Sequence, residues 1–115
     1  MIHPHYIVGL TEGEGCFYVN IRERRPQWTP IVEAHFYLKM QENYRSLLGA
    51  VRDTFDCGGV YFQKEKRRNH CHCYRFEINS QKDIEGVLIP FFRKYPLLVP
   101  KKRDFEIFCQ IVALR

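Results

Sequence analysis

The chain is expected to fold as an α+β domain, with elements in the order α-β-β-α-β-β-α and the helices gathered on one face of a four-stranded antiparallel sheet. Three observations lead there. Two stretches alternate apolar and polar residues with period two, and each divides into a pair of strands. Each pair is followed by a segment with helical spacing, and no low-complexity tract or long linker interrupts the 115 residues. With 45% hydrophobic and 15% aromatic residues the chain can fill one core, so a single domain over residues 1–115 is expected.

The first helix is short, roughly His5 to Glu12, and runs into Gly13-Glu14-Gly15, where glycines on both sides of an acid let backbone approach another surface. From Cys16 onward Phe17, Val19 and Ile21 point one way, while Tyr18, Asn20, Arg22 and Arg24 point the other. After a turn from Pro26 to Pro30, Val32, Ala34, Phe36 and Leu38 form the apolar register and Glu33, His35, Tyr37 and Lys39 the polar one, so the two strands make a hairpin. Asn43 to Phe55 places Leu47, Leu48, Val51 and Phe55 at helical spacing, with Asn43 as N-cap and Gly58-Gly59 as the stop. A third strand turns Val60 and Phe62 inward and Tyr61 and Gln63 outward. Beyond the charged turn Lys64 to Asn69, a fourth turns Tyr74, Phe76 and Ile78 inward against Cys73, Arg75 and Glu77. Ser80 is placed to cap the next helix, which Pro90 is expected to interrupt. The last helix, from about Lys101, has Phe105, Phe108, Val112 and the neighbouring Ile107 and Ile111 as its apolar side.

Such a sheet leaves one face open to a ligand. Its outward set is Tyr18, Asn20, Arg22, Arg24, His35, Tyr37, Lys39, Tyr61, Gln63, Arg75 and Glu77, rich in the side chains that contact base edges and phosphates, and a β-ribbon fits the major groove. Eighteen Lys and Arg against 13 Asp and Glu give a formal charge of +5, which favours a polyanionic partner. Patterning alone fits an ordinary solvated face equally well.

Five cysteines, an odd number in a chain able to build a core, argue against a secreted disulfide framework. The N-terminus lacks the basic-then-apolar layout of a signal peptide and no segment reaches membrane-spanning length, so an intracellular place, cytoplasm or organelle matrix, is expected. His70-Cys71-His72-Cys73 offers only two ligands per strand face, with no C-x-x-C pair elsewhere, so zinc is not expected. His3 and His5 precede the first helix and are expected at the surface.

The ordered run Tyr6-Ile7-Val8-Gly9-Leu10-Thr11-Glu12-Gly13-Glu14-Gly15-Cys16-Phe17 resembles the LAGLIDADG signature, in its variants reading aliphatic, small, Gly, Leu, any residue, acid, Gly, Glu, Gly, Cys or Ser, Phe. Phe36 to Gly59, and Ile89 to Leu97 followed by Lys101 to Phe105, resemble the same family, so the likeness spans nearly the whole chain. Only one motif is present, as in the homodimeric members; a fragment of a two-motif protein is the alternative. The resemblance implies a saddle-shaped sheet in an intron-encoded homing endonuclease that hydrolyses both strands of a long pseudopalindromic DNA site. It implies Mg²⁺ as cofactor, with Mn²⁺ a substitute and Ca²⁺ supporting binding without cleavage. A binding-only relative, either an intron maturase acting on RNA or an inactive DNA- or RNA-binding protein, is the alternative, and a basic module for protein partners is a third reading.

The residues support what the family implies. Gly9 and Gly13, four apart on one helix, bare the backbone for the equivalent helix of a second subunit, at the cost of helix propensity. Glu14 would then stand beside its symmetry mate, where two carboxylates repel unless a cation lies between them. By analogy Gly13 offers its carbonyl to the same ion. Glu12, two residues before Glu14, points elsewhere and is expected to be structural. Where the family often has a water-ordering Gln at the end of the second strand, this chain has Met40, with Gln41 next to it. Either Gln41 takes over through a local bulge or another group supplies this function. Lys101, in the cluster Lys101-Lys102-Arg103, matches the family lysine near the scissile phosphate, with Lys102 as the other register.

Overall fold

The computed structural model describes residues 1–23, 30–66 and 71–114. Its elements are α1 (Pro4–Glu14), β1 (Gly15–Glu23), β2 (Pro30–Gln41), a 3₁₀ turn (Glu42–Tyr44), α2 (Arg45–Phe55), β3 (Gly59–Gln63) and β4 (Cys73–Ile78). There follow α3 (Gln81–Asp83), a π-helical stretch (Ile84–Leu88), α4 (Ile89–Lys94) and α5 (Lys101–Ala113). The four strands form one antiparallel sheet in the order β1-β2-β4-β3. This is the α+β layout that the alternation pattern predicts.

Register sorts the side chains into two faces. Phe17 lies opposite Phe36, Val19 opposite Ala34 and Leu38 opposite Phe76, all toward the helices. α1 packs on β2, α2 on β4 and β3, and α5 on β1. Phe17 stands at the centre of an aromatic cluster with Phe36, Phe92, Phe105 and Phe108, at ring separations of 5.2 to 5.7 Å. Phe36 is fully buried, and its truncation to Ala would cost about 3–5 kcal/mol from lost burial and the cavity left behind.

α1 is longer than expected at both ends. His3 Nδ1 accepts from His5 N–H at 3.2 Å and Pro4 supplies the first helical residue, so His3 is the N-cap and His5 lies inside the helix. At the other end the helix takes in Gly13 and Glu14 before Gly15 turns extended. Gly15 is required there: a Cβ would lie 2.6 Å from Thr11 Cγ2 and 2.9 Å from its backbone.

α2 starts at Arg45, not at Asn43. The chain leaves β2 through the 3₁₀ turn, which places Asn43 ahead of the first helical N–H groups, and Tyr44 at the N-cap makes no side-chain bond. The helix ends with Asp56 in the left-handed region (φ 56°). Gly58 (φ 81°) follows where a Cβ would meet the Glu77 carbonyl oxygen at 2.5 Å, and Gly59 already belongs to β3.

Ser80 Oγ caps the next helix through Asp83 N–H at 3.5 Å. Pro90 does not interrupt it. Ile89 N–H bonds back five residues to Ile84, so the ladder has shifted by one residue just before the proline, which opens α4 as a tolerated early residue. Two apolar assignments also differ. Phe62 is in the inward register of β3, the edge strand, but more than half exposed, resting edge-on against Tyr74 and His72. Ile107 on α5 is 55% exposed, pointing aside from the buried stripe Phe105, Phe108 and Val112. Among the described residues no helix is long and apolar enough to cross a membrane.

Candidate nucleic-acid interface and cation-binding end

At the end of α1, Glu14 is exposed and lines an open depression of about 640 Å³ together with Tyr6, Leu10, Lys39, Gln41 and Tyr44. The helix brings there the negative end of its dipole, and its last turn holds no basic residue. Gly15 N–H bonds to Thr11 C=O, while among the described residues the Gly13 carbonyl has no hydrogen-bond partner within the chain. A carboxylate and a helix carbonyl are hard oxygen donors suited to Mg²⁺ or Ca²⁺. Two such donors are too few to hold an ion by themselves. Among the described residues no three His, Cys, Asp or Glu side chains come together as a metal cluster.

Lys101, the first residue of α5, donates from Nζ to Gly15 O at 2.7 Å, which brings its charge to the α1–β1 junction one residue past Glu14. Lys102 is exposed and lies near Phe92, Leu97 and Phe105 instead, so of the two registers the fold brings Lys101 to the motif. Glu12 Oε1 accepts from Leu98 N–H at 2.5 Å, which ties the loop before α5 to α1 and so helps place Lys101.

Gln41 reaches the depression without a bulge. The register is constant through the last pair, Gln41 opposite Cys73, so simple alternation puts Gln41 on the same face as Lys39 while Met40 packs against the core opposite Tyr74. The bulge expected from the sequence is absent from β2.

Gly9 and Gly13 are exposed, and a Cβ built on either meets nothing within 4 Å. Among the described residues nothing requires glycine at these positions. With Tyr6 and Leu10 they form a stripe on the side of α1 away from the buried Ile7 and Thr11.

The outward sheet face holds the other predicted residues together: Tyr18 opposite His35, Asn20 opposite Glu33, Tyr37 opposite Glu77, Lys39 opposite Arg75, Tyr61 opposite Arg75 and Gln63 opposite Cys73. Arg24 and His70 lie outside the described residues. Much of the face is paired with itself. Arg22 forms an ion pair with Glu33, and the Arg75 guanidinium stacks 4.0 Å from the Tyr37 ring centre. Arg75 Nε is 3.0 Å from Glu77 Oε1, an ion pair whose buried N–H is not aimed at that oxygen. A hydrogen bond with the Cys16 side chain, and then burial, hold the Tyr37 phenol above its usual pKa, so it is a neutral hydroxyl at physiological pH. Lys39 has no carboxylate partner among the described residues.

Three participants escaped the sequence reading. Cys16 faces Tyr37 because the outward register begins two residues before Tyr18, the first outward residue assigned. Tyr44 lines the depression from a turn that pattern does not reveal. Asn79, just past β4, bonds to both His35 and Glu77. Of the cysteines, burial pushes the Cys57 and Cys109 thiols up and leaves them poor nucleophiles. His72 Nδ1 accepts from Glu65 N–H at 3.0 Å.

Residues 7–112 match the family model described as LAGLIDADG endonuclease. A probable intron-encoded endonuclease of Neurospora crassa is 33% identical over 116 residues, covering 98% of this chain and 24% of its own length. The chain thus spans about a quarter of that relative. Among solved structures, the homing endonuclease I-TnaI superposes with a TM-score of 0.82 at 30% identity, covering 98% of this chain and 73% of that one. The I-LtrWI LAGLIDADG homing endonuclease bound to target DNA gives 0.84 at 28% identity, covering 98% and 37%. With its one glycine-acid-glycine motif at the end of α1 and its open four-stranded sheet, the chain belongs to the LAGLIDADG endonuclease family.

Proposed function

We propose that this chain is one half of a site-specific homing endonuclease, which pairs with a second copy of itself through the Gly9 and Gly13 face of α1 and cleaves both strands of a long pseudopalindromic DNA duplex. The observation that carries the reading is Glu14. It is a solvent-facing acid at the negative end of a helix, one residue before a backbone carbonyl held by Lys101, and below a helix face bared of side chains. Two such ends related by a C2 axis would double the oxygen donors and supply the missing half of a cation site. I-LtrWI, bound to its target DNA, supports duplex DNA as the partner.

In this reading the sheet face, with Arg22, Arg75 and Lys39, meets the phosphates and base edges and fixes the register of the duplex. Glu14 and the Gly13 carbonyl would hold Mg²⁺, with Mn²⁺ as a substitute, which would supply polarisation of the scissile phosphate and of a water nucleophile. Gln41, with a donor and an acceptor on one amide, orients that water from the rim of the depression. Lys101, anchored by Gly15, keeps a positive charge where negative charge grows on the phosphate oxygens. Glu12 fixes the loop that delivers Lys101 and takes no part in the chemistry.

The direct experiment incubates the protein with a randomised duplex library, with and without Mg²⁺, and sequences the ends produced. Double-strand breaks at one related set of sites in Mg²⁺ alone are the expected result. Binding with no cleavage in Mg²⁺ or Mn²⁺ would overturn the nuclease assignment.

A further inference from the structure

At the β4 side of the sheet face runs a hydrogen-bonded chain whose direction is fixed by a carboxylate. Glu77 Oε2 accepts from Asn79 Nδ2 at 3.2 Å, while Glu77 Oε1 lies beside Arg75. An ionised carboxylate only accepts, so the Asn79 amide must turn its NH₂ toward Glu77; the flipped amide would set oxygen against oxygen. This leaves Asn79 Oδ1 2.7 Å from His35 Nδ1. An amide oxygen also only accepts, so Nδ1 carries the hydrogen and the neutral ring keeps its lone pair on Nε2. Glu33 agrees with this assignment. Its Oε2 stands 3.8 Å from His35 Nε2, beyond hydrogen-bond reach, as two acceptors should, and its other oxygen is turned to Arg22.

His35 also shares an open depression of about 250 Å³ with Tyr18, Tyr37 and Arg75, on the face proposed above to take duplex DNA. We infer that Asn79, acting with Glu77, is a positioning residue for base reading: it locks His35 as a hydrogen-bond acceptor, so the base facing His35 is one that turns an exocyclic amine into the major groove. Those bases are adenine, through N6, and cytosine, through N4. The inference rests on the sheet face binding duplex DNA. The titratable and charged groups facing the ring are Glu33 on its own strand, Tyr18 and Arg22 from β1, and Glu77 and Arg75 from β4.

Two readouts test this. Long-range ¹H–¹⁵N correlation spectra of the free protein at about pH 8 should show His35 protonated on Nδ1, and the exposed substitution Asn79→Leu should move the proton to Nε2. A parent protein already protonated on Nε2 would overturn the inference whatever its DNA binding. Binding selection from randomised duplex at the same pH should give about fivefold enrichment of adenine or cytosine at one position of each half-site. The enrichment should vanish in Asn79→Leu. Enriched duplexes with identical base profiles in the parent and Asn79→Leu would overturn the base assignment while leaving DNA binding standing. No enriched duplex at all would overturn the DNA reading and the base assignment with it.

Discussion

The α1–β1 junction and the sheet face are both polar, exposed regions, yet they are built on opposite plans. On the sheet, charges answer one another inside the chain: Arg22 with Glu33, Arg75 between Tyr37 and Glu77, His35 with Asn79. At the junction one carboxylate and the negative end of a helix face solvent with no basic residue in the last turn, beside two glycines that nothing in the chain requires. The first region is largely paired within one chain, Lys39 excepted. The second exposes a carboxylate and bare backbone, with Lys101 held at Gly15 beside them. In the function proposed above, the reading surface is organised before its ligand arrives, whereas the cleaving centre waits for its other half.

The comparison is sharpest at Glu14. Glu14→Gln keeps size and deletes charge, so Mg²⁺-dependent cleavage should fall by about 100-fold or more, with DNA binding in Ca²⁺ unchanged. Single-turnover cleavage and a filter-binding titration measure the two separately, and a substituted protein as active as the parent would remove Glu14 from the centre. Gly9→Leu probes the bare helix face. Because a Cβ there touches nothing in the chain, circular dichroism should be unchanged while sedimentation shows loss of the dimer and cleavage falls with it. A Gly9→Leu protein that still dimerises would place the interface elsewhere.

Lys101→Met should lower single-turnover cleavage by about 10- to 1,000-fold and change affinity by less than about tenfold, as removal of one electrostatic stabiliser does. Lys102→Met, which leaves the Gly15 contact intact, should do neither. If both weaken binding alone, the cluster only holds phosphates. The smallest effect is on the sheet. Arg75→Ala should cost about 1–3 kcal/mol of affinity and flatten the salt dependence by about one phosphate contact. Because Arg75 is already paired within the face, the substitution should also disturb Tyr37 and Glu77. A mutant equal to the parent at all salt concentrations would move the DNA off this side of the sheet.

What the sequence made legible follows from periodicity. Alternation in 16–23, 30–41 and 73–78 fixed both faces of the sheet, and the spacing of Leu48, Val51 and Phe55 fixed α2, since those patterns are direct consequences of backbone geometry. The glycine-acid-glycine run marked the junction in the same way. Four features were out of reach because they depend on partners far along the chain or on ladder shifts that side-chain type does not encode. Lys101 meets Gly15, and Glu12 meets Leu98, across 86 residues. The shift from Ile84 to Ile89 lets Pro90 sit inside a helical run, and Asn79 gains its role only where β4 ends beside His35. Even the substitution of Met40 for the family glutamine needed no bulge once the register was visible, because the neighbouring Gln41 already faced the depression.

The central claim, that each chain supplies half of one cleaving centre, is tested most directly by mixing. Parent and Glu14→Gln chains are combined and re-equilibrated at fixed total concentration, and the total rate of strand scission, nicks and double-strand breaks together, is measured against the parent fraction. If both carboxylates of a pair are needed, activity falls as the square of that fraction, so an equal mixture retains about one quarter. A linear fall, with half the activity left in the equal mixture, would mean that one chain holds a complete centre and would contradict the account.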